Sequence, residues 1–223
     1  MATPSSICYS IITSIFAATA FLLAWAAEFN CAFLSFTSDT STFSQPITVH
    51  FGIWSYQFWT VATSTGGSVI FETCHRYPGD VEVDGSWKAA RAFSTLTLIF
   101  GGVFLLINLI ASCIHPTRNT SPLESTAFLL ASIFQGLSLL LLNSSLCKNN
   151  AILYTLQSDM SKLGNPAIEF PETCSLSMGA NCAIAAIVFW ALAACMSGMS
   201  RVAERREKEE SEITEPFIPG ENL

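Results

Sequence analysis

Cysteine is the residue with most chemistry to offer in this 223-residue chain, which contains eight. Cys31, Cys74, Cys147 and Cys174 lie in the more polar stretches, whereas Cys8, Cys113, Cys182 and Cys195 lie in or beside long apolar runs. Cysteines gathered in loops on one side of a membrane are disulfide candidates in an oxidising compartment. Four such residues allow three pairings. One bridge per loop, Cys31–Cys74 and Cys147–Cys174, is the favoured scheme, with free buried thiols as the alternative. Cys113 and Cys195, near the ends of apolar runs, stand where S-palmitoylation occurs, with plain burial as the alternative.

The other reactive residue types form no catalytic pattern. His50, His75 and His115 lack cysteine or carboxylate partners at metal-ligand spacing, except that His75 follows Cys74, and one Cys-His dipeptide is not a ligand set. No P-loop, dinucleotide fingerprint, nucleophile elbow or HExxH motif occurs. The expectation is therefore a protein that is not an enzyme and uses no cofactor or metal. Acidic residues outnumber basic ones 17 to 10, a net charge of −7. That balance argues against a nucleic-acid partner, which requires a basic face.

The elements that carry these residues are apolar. Hydrophobic residues make up 51% of the chain and charged ones 12%, about half the charge of an ordinary soluble domain. Mean hydropathy is +0.46. Four stretches reach the roughly 20 apolar residues that span a bilayer: 7–27, 92–114, 123–146 (with Glu124 at its mouth) and 176–199. They divide the chain into an N-terminus (1–6), a first loop (28–91), a turn (115–122), a second loop (147–175) and a tail (200–223). The first span reads as a retained signal-anchor helix, because the preceding MATPSS carries no basic residue and the apolar run exceeds a signal-peptide core.

Basic residues tie at five on each side, but Arg201, Arg205, Arg206 and Lys208 directly follow a span, where charge weighs most. Both termini are accordingly expected in the cytoplasm, in a multi-pass plasma-membrane protein, with both loops outside. The sequon at Asn143 would then be an outer glycosylation candidate close to the bilayer, and the sequon at Asn119 would be silent. Within the spans Asn108, Gln135 and Asn181 are expected to hydrogen-bond between helices. Small residues four apart, Gly179 with Ala183 and Ala194 with Gly198, permit close helix packing within the bundle or between protomers. The tail is expected to continue the last span as a helix through RVAERREK, which can contact anionic lipid. Beyond Pro216 it ends in Glu221-Asn222-Leu223, where a cytoplasmic scaffold could bind.

In the first loop, Ser35 to Ser44 reads as irregular. Thr48 to Val61 reads as a strand from its alternation and its β-branched and aromatic residues. Gly66-Gly67 marks a turn, and Val69 to Tyr77 reads as a second strand. The fold class expected is a membrane all-α protein, a four-transmembrane-helix bundle with a small extracellular β-sheet formed by the first loop.

Gly52-Ile53-Trp54 between spans one and two, the later Cys74, and Arg91 within Ala-Ala-Arg-Ala at the opening of span two give a local pattern. In this layout the chain resembles the claudin and peripheral myelin protein superfamily, which includes the calcium channel gamma subunits and fungal tetraspan proteins. The family signature is Gly-Leu-Trp followed by two cysteines. Here Gln57 stands where the first cysteine falls, and Cys31 supplies its place; Cys147 and Cys174 are additions to the family pattern. The resemblance implies that Trp54 seats the sheet on the helix ends. It also implies a structural, adhesive or membrane-organising role through lateral self-association. The alternatives are an auxiliary subunit or sorting partner of a larger channel or receptor, and an ion-conducting or barrier-forming pore. A pore would place Glu72 and Asp80 on the ion path and favour cations. The partners expected are the lipid bilayer and either a second copy or a larger membrane protein.

Overall fold

The structure is a computed structural model of the chain. It describes residues 4–37, 48–64, 67–77, 79, 81, 83–114, 122–148, 171 and 173–214. Among the described residues, four helices are long and apolar enough to cross a membrane, with apolar windows over Cys8–Phe29, Gly85–Ala111, Leu123–Asn143 and Met178–Ser200. These fit a multi-pass membrane protein. The turn at 115–122, apart from Pro122, the sequon at Asn119, most of the second loop and the tail beyond Thr214 lie outside the described residues.

Helix α1 runs Pro4–Phe29, α2 Gly85–Ile114 and α3 Pro122–Ser138. A tight 3-10 turn, Leu139–Asn143, and the short α4, Ser145–Lys148, follow α3. The last helix, α5, runs Met178–Thr214. Three boundaries differ from the expected spans. Helix α2 begins seven residues before residue 92 because Asp84 caps it. Its Oδ1 accepts the Trp87 N–H at 2.8 Å, which satisfies one of the donors a helix start leaves open. Arg91 therefore belongs to α2 and not to the loop. The third span is not one helix. After Ser138, whose hydroxyl donates back to the Gln135 carbonyl at 2.6 Å, the chain tightens into the 3-10 turn. Finally, α5 continues to Thr214, six residues beyond Lys208.

The sheet has five strands in the order β4-β3-β2-β1-β5, with antiparallel pairing between neighbours: β1 Leu34–Thr37, β2 Thr48–Phe51, β3 Ser55–Ser64, β4 Gly67–Arg76 and β5 Ser175–Leu176. Three expectations are corrected here. The first loop does not form the sheet alone, since β5 comes from the second loop and pairs Leu176 with Leu34. The stretch from Ser35 is not irregular at its start, because Ser35–Thr37 belong to β1; residues 38–47 lie outside the described residues. The strand expected over 48–61 is interrupted at Gly52-Ile53-Trp54 and becomes β2 and β3. The Gly52 N–H donates to the Ser55 carbonyl at 2.7 Å, closing a tight turn where period-2 alternation predicts none.

Two apolar cores hold the molecule. One lies between sheet and helix ends and contains Phe33, Phe36, Phe51, Ile53, Trp87 and Leu146. The other fills the bundle, where small residues dominate: Ala17, Ala20 and Ala24 of α1 lie with Ala186, Ala193 and Ala194 of α5 around Trp190 and Phe128. Outward faces carry Ile11, Ile15, Leu22, Ile99, Leu106 and Val188, as hydrocarbon contact requires. The spaced small residues of α5 pack inside the chain: Gly179 faces Phe33 and the Ala32 carbonyl, and Gly198 faces Ser125.

Of the three polar residues expected to join helices, one does so. Asn108 of α2 accepts from Ser14 of α1 at 2.6 Å and donates to Glu124 of α3, linking three helices. Among the described residues the Gln135 side chain hydrogen-bonds only to Ser138 on its own helix, at 3.4 Å, and its Oε1 is buried without a partner there. Asn181, in the first turn of α5, is exposed.

Candidate functional site: the junction of sheet and bundle

The residues of the Gly-Ile-Trp pattern meet Arg91 where the sheet rests on the bundle. Gly52 begins the link between β2 and β3, and it must be glycine. A Cβ there would lie 2.8 Å from both the Cys31 Cα and the Ser55 carbonyl oxygen, which are backbone atoms that cannot swing aside. Gly52→Ala is expected to destabilise the fold by about 2 kcal/mol. Thermal unfolding of the purified variant in detergent checks this, and an unchanged midpoint would refute the packing.

The next residue offers its carbonyl. The Ile53 oxygen accepts Arg91 Nε at 3.0 Å and Trp87 Nε1 at 3.1 Å, so two side chains of α2 hold one peptide of the sheet. The Arg91 guanidinium lies 4.8 Å from the Trp54 ring centroid, 4.9 Å from Trp87 and 5.8 Å from Tyr77. Each contact is within cation–π range. Tyr77 donates its hydroxyl to the Gly52 carbonyl at 2.8 Å and meets Trp87 edge-on at 4.8 Å. Burial pushes the Tyr77 phenol well above its ordinary range, with Arg91 pulling the other way, so it stays neutral and continues to donate.

Trp54 is 41% exposed, so it is not a core aromatic of the sheet. It acts as a spacer between opposite charges. Its Nε1 donates to Glu28 Oε1 at 3.1 Å, while its ring receives Arg91. The same Glu28 oxygen accepts from Thr95 of α2 at 2.9 Å. Glu28 is buried in the last turn of α1, and its Oε2 has no partner. One carboxylate thus ties α1, the β2–β3 link and α2 together. Asp84 does similar work nearby. While Oδ1 caps α2, Oδ2 accepts the Ser145 N–H at 2.6 Å and attaches α4.

Both favoured cysteine pairs lie at disulfide distance. Cys31 and Cys74 are bonded with Cα atoms 5.9 Å apart, and Cys147 and Cys174 with Cα atoms 4.9 Å apart. Gln57 sits directly across the ladder from Cys74. The bridge instead runs to Cys31, two residues beyond α1.

The remaining site residues are scattered. Glu72 lies on β4 opposite Trp59, and Asp80 lies outside the described residues. Cys195 is exposed on α5, and Cys113 falls in the last turn of α2. Asn143 closes the 3-10 turn and is exposed. His75 Nε2 is 2.8 Å from the Thr73 hydroxyl, and His50 Nδ1 is 3.2 Å from that of Ser177.

Sequence reasoning missed Glu28, Tyr77, Trp87 and Thr95 as members of the junction. A signal existed for Glu28, since an acidic residue at the end of an apolar span is costly unless partnered. No protein-family model matches the chain, and no curated protein matches it. The junction is therefore interpreted from its own geometry.

Proposed function

We propose that this chain is a claudin-like membrane organiser that associates laterally with its own kind, with the sheet outside the cell and both termini in the cytoplasm of a plasma-membrane protein. The observation that carries the reading is the β4 edge of the sheet, which no described strand pairs. Strand β4, ten residues long, pairs with β3 on one side and with no described strand on the other. Thr73, His75 and Arg76 on it are exposed. An open edge of that length invites pairing with another strand, and here it is braced by the Cys31–Cys74 bridge. The two bridges favour an oxidising side for the sheet, and the Arg201–Lys208 cluster favours the cytoplasm for the tail.

The auxiliary-subunit reading uses the same edge for a foreign strand, so composition of the complex separates the two. Two differently tagged copies are co-expressed and purified through one tag in mild detergent. Recovery of the second tag supports self-association. Recovery of a foreign membrane protein in fixed ratio, without the second tag, supports the subunit reading and removes the first.

A further inference from the structure

We propose that Arg91 and Lys88, beside the exposed ring of Trp54, form a seat for the phosphate group of a phospholipid in the leaflet nearest the sheet. Arg91 is pinned and only partly used. Its Nε donates to the Ile53 carbonyl at 3.0 Å, and its Cζ lies 4.8 and 4.9 Å from the Trp54 and Trp87 ring centroids. Its two Nη groups make no hydrogen bond within the described structure and are not among the enclosed unpartnered atoms, so their donors open outward. A guanidinium edge held in one orientation with free donors suits a phosphate, which takes two parallel N–H bonds.

Lys88 adds a second cation. It lies three residues before Arg91 on α2, and residues so spaced are neighbours on a helix surface. It is exposed, and its ammonium makes no ion pair among the described residues. Two nearby carboxylates among the described residues, Asp84 and Glu28, hold other donors. Asp84 receives the Trp87 and Ser145 N–H groups, and Glu28 Oε1 receives the Trp54 indole N–H and the Thr95 hydroxyl.

Position decides for a lipid phosphate over a free one. Arg91 is in the second turn of an apolar helix, and Glu28, Trp54 and Thr95 connect it to the last turn of α1. Trp25 and Phe29 on that turn are exposed and pack against each other at 5.4 Å. Exposed aromatics at the end of one helix, with cations in the first turns of the helix bonded to it, are the pattern of a membrane–water interface, where phosphate groups lie.

The test uses the purified chain, stripped of lipid in a phosphate-free maltoside detergent. Thermal unfolding is followed after adding dioleoylphosphatidylcholine, dioleoylglycerol with the same tails and no phosphate, or inorganic phosphate. The phospholipid is expected to raise the midpoint by about 3–6 °C, with little change from the other two. Lys88→Gln, at an exposed position, should lose about half of that rise, and Arg91→Lys most of it. Equal shifts from phospholipid and diacylglycerol would overturn the proposal. So would a full shift from inorganic phosphate, or a full lipid shift in both variants. If Arg91→Lys fails to fold, Lys88→Gln and the wild-type lipid comparison still decide.

Discussion

Replacing Cys31 and Cys74 together by alanine is expected to lower stability by about 4 kcal/mol. The bridge closes a sequence separation of 43 residues, and the chain-entropy cost of opening it grows with that length. The loss is not only entropic. Cys31 lies two residues beyond α1, whereas Cys74 lies on the edge strand, so the bridge ties the β3–β4 hairpin covalently to the end of the bundle. Without it, β3 is held to the rest of the sheet by a short pairing, Phe51 with Tyr56. Unfolding followed by tryptophan emission should show the midpoint falling by about 8–16 °C. Cys8→Ala, which removes an exposed free cysteine, should leave it unchanged. A double variant within about 2 °C of the parent would mean that the bridge does not brace the sheet.

The second large effect is expected at Arg91. Arg91→Ala removes a charge-assisted hydrogen bond to the Ile53 carbonyl and contacts with three aromatic rings. The bond is worth roughly 1.5–3 kcal/mol and each close ring contact about 0.5–1 kcal/mol. Trp87 Nε1 still satisfies the Ile53 oxygen, which limits the damage. The net expectation is a loss of about 3 kcal/mol, or about 6–12 °C in the midpoint. A companion change in the emission of Trp54 and Trp87 should accompany it, because their rings lose the cation. Arg91→Lys keeps charge but not the fork, and should fall between the two. If Arg91→Ala unfolds with the parent's midpoint, Arg91 does not hold the sheet to the bundle.

The sequence showed the spans because bilayer thickness imposes a length that apolar runs must meet, and the four runs met it. Spans also partition loop cysteines by side, which grouped Cys31, Cys74, Cys147 and Cys174 and left three pairings open; the favoured pairs, one per loop, are those at disulfide distance. It hid what depends on local geometry. The break at Gly52 lies inside a smoothly alternating apolar run and follows from the backbone of Asn30 and Cys31 pressing on that position. The start of α2 at Gly85 follows from one Asp84 carboxylate, which composition does not distinguish from other loop acids. Strand β5 is two residues long, too short to carry any periodicity. At the junction, Trp54 and Arg91 were visible as a pattern, but Glu28 and Tyr77 are distant in sequence from Arg91 and meet it only once the helix ends and sheet are assembled, while Trp87, one turn before Arg91, lay in the stretch expected to be loop.

The central claim is that copies of this chain associate through the β4 edge. The most direct measurement places the photo-crosslinking residue benzoylphenylalanine at position 73, exposed on that edge, and irradiates intact membranes. Neighbouring strands in a sheet lie about 5 Å apart, within reach of the probe. The account predicts a covalent dimer whose cross-linked peptide comes from β4 of a second copy, and no such dimer when the probe replaces Val188 on the outward face of α5. A monomer in both cases, or a cross-link only to a different protein, would contradict it.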